Sequence, residues 1–106
     1  MSTAQPFSLK ESIEYQNDSV VSKTLIKKDE GTLTLFAFAR GQGLSEHTAP
    51  FDACVQIIEG AAQITVGGEE HRVEEGRMLI MPANVPHALQ AQEPFKMLLT
   101  MIKKAA

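Results

Sequence analysis

The chain has 106 residues, a length that fits one domain, and its formal net charge of −3 offers no basic surface to a nucleic-acid backbone. No apolar run approaches the ~20 residues that a membrane-spanning helix needs, and the N-terminus lacks the basic start and apolar core of a signal peptide. The single cysteine, Cys54, excludes a disulfide within the chain and is typical of a reducing compartment. We therefore expect a cytoplasmic protein with neither nucleic-acid nor membrane partners.

The N-terminal part predicts one short helix at residues 8–16. Ser8 and Glu11 have the spacing of a capping box, and Leu9 and Ile13 fall on one helical face. We interpret residues 1–30 as an N-terminal extension that includes the first strand, and residues 31–106 as the main domain.

From Val20 onward, strand-length runs alternate with turn residues, which is the pattern of an all-β sandwich or barrel. Gly67 and Gly68 predict a two-residue hairpin turn, because both positions of such a turn favour a positive φ. The last run is apolar on both alternating faces, so we expect it to be covered on both sides, and a homodimer would supply one cover. The predicted strands are residues 20–27, 32–39, 53–59, 61–66, 71–74, 77–81, 87–91 and 95–102.

Two segments carry histidines between glycines and prolines. Residues 41–60 contain His47 and residues 76–91 contain His87. Together the two segments resemble the paired motifs of the cupin family, and the resemblance extends over residues 32–102. It implies an all-β, double-stranded β-helix, a jelly-roll barrel whose interior holds a metal ion on histidines and a glutamate.

Half of that ligand set is absent from this chain. Ala49 stands where the family pattern has a second histidine, and Ala53 stands where it has the glutamate. His47 and His87 remain as ligands for a divalent first-row transition metal. Because non-haem iron takes two histidines and a carboxylate, and catalytic zinc takes three protein ligands, a third ligand would have to come from elsewhere. The sequence offers Glu46, Asp52 or Gln63.

The alternation of side chains along a strand predicts which residues face the barrel interior. If Ala53 faces inward, its neighbour Cys54 faces outward, away from the site. The second histidine segment continues the same inner wall. The side chains expected inside are Ala53, Val55, Ile57, His87, Leu89 and Ala91.

Three functions remain open. The first is a protein that binds a small organic molecule near His47 and His87, with Gln63, Met81 and Leu89 as further lining. The second is a metal-dependent cupin enzyme, such as a dioxygenase, isomerase or decarboxylase, with the two histidines as metal ligands. The third is a dimeric structural or regulatory module.

The methionines leave a related alternative open. They could form an adaptable binding wall, or they could fill gaps in the core. The residues concerned are Met78, Met81, Met97 and Met101.

Overall fold

The computed structural model describes residues 4–103, which form nine β-strands and one turn of 3-10 helix, Lys10–Ser12. No helix in this range is long and apolar enough to cross a membrane. The strands are β1 (Val20–Lys28), β2 (Gly31–Phe38), β3 (Gly43–His47), β4 (Asp52–Glu59), β5 (Ala61–Val66), β6 (Glu69–Glu74), β7 (Met78–Met81), β8 (His87–Gln90) and β9 (Phe95–Ile102).

Two antiparallel sheets make up the fold. The first has the strand order β1-β2-β9-β4-β7 and the second has the order β3-β8-β5-β6. The all-β prediction is therefore confirmed. Gly67 and Gly68 join β5 to β6 with φ angles of 57° and 81°, so the predicted hairpin turn is confirmed as well. The proposed division at residue 30 includes residues 1–3 and 104–106, which lie outside the described range.

The main core lies between the two sheets. Its centre is the stacked pair Phe38 and Phe95, whose ring centroids are 4.5 Å apart. The six side chains predicted to face inward are all buried, because the alternation along β4 and β8 places them on the inner faces. They are Ala53, Val55, Ile57, His87, Leu89 and Ala91.

The prediction of a helix at residues 8–16 is wrong. The N–H of Glu11 donates to Ser8 Oγ at 3.3 Å, as a capping box requires, but the helical turn ends at Ser12. Ile13 is extended, with φ −147°, and packs against Leu35 and Ala37 on the outer face of the first sheet. A helix this short is marginal in water, so burial of one large apolar side chain decides the conformation.

Polar contacts fasten this N-terminal segment to the sheet. The Tyr15 hydroxyl donates to Glu59 Oε2 at 2.6 Å, and the buried Lys96 ammonium donates to the carbonyl of Lys10 at 2.6 Å. Lys96 Nζ also lies 3.8 Å from Glu59 Oε2 and 5.1 Å from the centre of the Tyr15 ring. The outer face of β9 is thus covered in part by the chain's own N-terminal segment, near Leu98.

The strand β3 has no counterpart among the predicted runs. It is a short edge strand whose last three residues, Ser45, Glu46 and His47, are exposed and polar. An edge strand with so few apolar side chains shows no alternating pattern, yet β3 carries the first histidine of the site.

Candidate functional site

The two histidines meet because they occupy opposite positions on neighbouring strands. His47 at the end of β3 is the cross-strand partner of His87 at the start of β8. Their Nε2 atoms lie 3.1 Å apart, and their ring centroids are 4.4 Å apart with the rings at 69°. His87 is buried, whereas His47 is exposed to solvent. The pair therefore forms a boundary between the barrel interior and solvent.

The other ring nitrogens fix the orientation of both imidazoles. His47 Nδ1 lies 2.8 Å from the carbonyl oxygen of Ser45, and His87 Nδ1 lies 3.2 Å from that of Val85. Because a carbonyl oxygen can only accept, each Nδ1 is assigned as the protonated nitrogen. In two neutral rings, both Nε2 lone pairs then face each other, and only a proton or another electron-poor atom between them makes that contact favourable.

A cavity of about 60 Å³ lies behind the histidines. Ala49 and Ala53 line it, so the two positions that depart from the family pattern leave space at the site. Among residues 4–103, those that line the cavity carry neither a carboxylate nor a hydroxyl group. Three leucines and three methionines complete the wall: Leu44, Leu89, Leu99, Met81, Met97 and Met101.

The structure separates the sequence-predicted lining residues into two groups. Met81 and Leu89 line the cavity with the histidines. Gln63 does not: it lies on the outer face of the second sheet, in a shallow groove of about 410 Å³ that Thr65 also lines. Because Ile64 between them is fully buried in the core, the alternation along β5 turns Gln63 outward.

The other proposed third ligands, Glu46 and Asp52, also fail to join the histidines. Glu46 is exposed on β3 and is not among the described residues that line the cavity. Asp52 is exposed, and its Oδ1 accepts the N–H of Ala83 at 2.9 Å, which anchors the loop between β7 and β8. Cys54 is half-buried on the outer face, as predicted, opposite Ile80 and Thr100. Within residues 4–103, no group of three or more His, Cys, Asp or Glu side chains is placed to hold a metal ion. The donor set therefore does not fit the divalent metal site that the resemblance implies.

The four methionines lie on different faces of the first sheet. Met81, Met97 and Met101 line the cavity, whereas Met78 is exposed on the outer face of β7. Leu44 belongs to the cavity wall but was not predicted, because the strand that carries it was not recognised. Its apolar character between Gly43 and Ser45 is the only signal that the sequence offers.

Comparisons with known proteins agree with this architecture. The family model for the cupin domain matches residues 34–102, which confirms the resemblance. A conserved protein of unknown function from Streptococcus pyogenes is 38% identical, with a TM-score of 0.92 over 100% of this chain and 93% of its own. A cupin superfamily protein from Desulfitobacterium hafniense is 29% identical, with a TM-score of 0.90 over 98% of this chain and 95% of its own.

A further similar structure belongs to a longer protein. A cupin 2 conserved barrel domain protein from Leptotrichia buccalis is 40% identical, with a TM-score of 0.89 over 92% of this chain. This chain matches 47% of that protein, about half of its length. No curated protein matches the chain significantly.

Proposed function

The chain belongs to the cupin family, and we propose that it is a binding protein whose small organic ligand occupies the barrel cavity against the Nε2 atoms of His47 and His87. One observation carries this proposal: two imidazole nitrogens converge at the edge of an otherwise apolar cavity. Small-molecule sites commonly combine an apolar wall with a few polar groups that orient the ligand.

The replaced ligand positions favour binding over metal-dependent catalysis. Ala49 and Ala53 supply space instead of a nitrogen and a carboxylate. The competing function, a metal-dependent enzyme, needs a further protein ligand close to the histidines. Within the described range, Asp52 instead binds a backbone N–H and Gln63 faces outward.

The cavity volume limits the ligand. An apolar cavity of about 150 Å³ holds benzene, so the 60 Å³ found here fits only a few non-hydrogen atoms unless the wall moves. Methionine is the side chain best able to move, because it is unbranched and has three rotatable bonds. A larger ligand would therefore displace Met81, Met97 or Met101.

Binding can be tested with protein carrying ¹³C-labelled methionine methyl groups, titrated with a panel of small alcohols, phenols and carboxylic acids. The proposal expects saturable shifts at Met81, Met97 and Met101, while the exposed Met78 serves as an internal control. His47→Ala and His87→Ala should weaken the binding. A panel that never shifts the three cavity methyl groups, or shifts them equally in both variants, would count against the proposal.

We also propose that the protein is a homodimer that pairs through the uncovered part of the first sheet. One row crosses all five strands of the outer face, and isoleucines that are 46% and 58% exposed stand at its ends. Five strands span about 19 Å between the outermost two. The row consists of Ile26, Leu33, Thr100, Cys54 and Ile80.

A second copy fits this surface because large apolar side chains remain exposed on it. Ile102 beside the row is 59% exposed, and a groove of about 290 Å³ runs between Ile26 and Ile102. In the cytoplasm that we expect for this protein, Cys54 would remain a thiol in the interface.

The proposal predicts that sedimentation equilibrium gives the mass of a dimer for the wild-type protein and the mass of a monomer for Ile80→Lys. A wild-type monomer at high concentration would refute it.

A further inference from the structure

We propose that the cavity ligand includes a soft monovalent cation, Cu(I), held by the Nε2 atoms of His47 and His87 and by thioether sulfur from the cavity methionines. This inference rests on the proposed function, since it uses the same cavity and the same two histidines, and it names an ion as a second occupant beside the organic ligand. Its thioether donors are ones that the family's divalent metal site, built from histidines and a glutamate, does not use.

The separation of the two nitrogens favours a metal ion over an organic group that donates to both. A metal ion placed about 2.0 Å from each Nε2 would form an N–metal–N angle of about 100°, which is near the tetrahedral value. For an organic N–H or O–H donor at a hydrogen-bond distance of about 2.9 Å from each nitrogen, the corresponding angle is only about 65°, so one organic group donates to one Nε2 at a time.

The hydrogen bonds of the outer ring nitrogens prepare the site for a cation. With each Nδ1 held by a carbonyl, both neutral rings turn an Nε2 lone pair toward the other ring. Such an N–H···O=C contact is the usual way in which a protein fixes the tautomer of a metal-binding histidine.

The charge and softness of the donors select the ion. Every donor that the described lining residues offer is neutral, because none of them carries a carboxylate. The cost of transferring an ion into an apolar region rises with the square of its charge, so a divalent ion costs about four times as much as a monovalent one. Thioether ligands are soft and favour Cu(I), and Met81, Met97 and Met101 are the side chains that carry them.

The cavity suits an ion in size and in shielding. A volume of about 60 Å³ is ample for one cation but small for an aromatic ring. His87, Met81 and Met97 are 5%, 3% and 1% exposed, so the inner side of the ion would be shielded from water, whereas the exposed His47 would leave its outer side near solvent.

The test is an anaerobic titration of the wild-type protein with Cu(I) against a colorimetric Cu(I) chelator, with X-ray absorption on the complex. We expect one Cu(I) per chain, nitrogen and sulfur in its first shell, and an affinity about tenfold or more lower in at least one of Met81→Leu, Met97→Leu and Met101→Leu. Leucine conserves volume, so circular dichroism and thermal melting should show folded variants. Met78→Leu on the outer face is the matched control.

The outcomes separate this inference from the proposed function. Organic ligands that shift the cavity methyl groups while Cu(I) does not bind would overturn the inference and leave the proposed function standing. Cu(I) affinity that survives all three leucine variants, or Zn(II) binding that is equally tight, would also overturn it. If neither Cu(I) nor any organic probe reaches the cavity, both proposals are wrong.

Discussion

His47 and His87 are cross-strand partners, and this single pairing of the edge strand β3 with β8 brings their Nε2 atoms to 3.1 Å. Forty residues separate them along the chain, so neither histidine has a local partner that predicts the contact. The pairing also explains their difference in exposure, because β8 is an inner strand of its sheet while β3 forms its edge.

The two histidines should differ in their importance for stability. His87 is 5% exposed, so His87→Ala opens a hole in the core and leaves the carbonyl of Val85 without its donor. We expect a loss of about 2 kcal/mol in the free energy of unfolding. His47→Ala at the exposed edge should cost less than about 1 kcal/mol. Urea unfolding of both variants measures the difference, and equal losses would contradict it.

Restoring the family's ligand pattern should create a divalent metal site. The double variant Ala49→His and Ala53→Glu adds an imidazole and a carboxylate to the cavity wall, beside the two existing histidines. Without metal we expect a lower melting temperature, since a carboxylate enters an apolar site. Added Zn(II) or Mn(II) should raise it again, because an ion that binds only the folded state stabilises it.

The matched control for this variant is Ala49→Gln with Ala53→Gln, which adds polar groups of similar size without a strong ligand. Wild type and control should show no rise in melting temperature with either ion. A wild-type protein that gains as much stability from Zn(II) as the double variant would mean that Ala49 and Ala53 do not limit metal binding.

Tyr15 should make stability depend on pH in alkali. Burial raises the pKa of the Tyr15 hydroxyl above its usual value, with smaller contributions from its hydrogen bond to Glu59 and from the negative charge of Glu59. The folded state therefore holds the proton more tightly than the unfolded state. The stabilising contribution of the Tyr15 proton is complete below about 10, the pKa of tyrosine in the unfolded state, and it decreases as the pH rises above that value.

Tyr15→Phe tests this dependence directly. The variant should lose about 1 kcal/mol at pH 7, because Glu59 loses a hydrogen bond. Between pH 9 and pH 11 its stability should fall less steeply than that of the wild-type protein. Parallel pH profiles for the two proteins would show that the Tyr15 proton does not contribute.

Gly60 should be far less replaceable than Gly76. Both have a positive φ, 76° and 84°, so alanine at either position is strained. A Cβ at Gly60 would also collide with the carbonyl oxygen of Pro94, whereas at Gly76 no described atom outside the neighbouring residues lies within 4 Å of the added Cβ. We expect Gly76→Ala to cost about 1 kcal/mol and Gly60→Ala clearly more, since backbone must shift. Thermal melting compares the two variants.

The sequence predicted the barrel well where apolar and polar residues alternate. The alternation around Ala53, Val55 and Ile57 places these side chains inside, and the structure agrees. The same rule was available for Gln63, because its neighbours Ala62 and Ile64 are apolar and buried. The alternation therefore predicts that Gln63 faces outward. Only the hydrogen-bonding capacity of its amide favoured a position in the site.

Other features depend on tertiary contacts that no local pattern contains. The helix predicted at residues 8–16 does not form, because Ile13 is buried on a sheet that is assembled from distant segments of the chain. The strand β3 is held by pairing with β8 rather than by its own residues. The methionines could be assigned to the cavity only after the inner faces of β7 and β9 were known.

The most direct test of the account is a measurement of the ¹⁵N chemical shifts of the imidazole nitrogens of His47 and His87, before and after saturation with a cavity ligand. His71, which lies on β6 near Glu69, serves as the internal control. We predict that Nδ1 is protonated in both site histidines and that ligand binding moves both Nε2 resonances while those of His71 stay unchanged. A bound ligand that leaves both Nε2 resonances in place would contradict binding between the histidines.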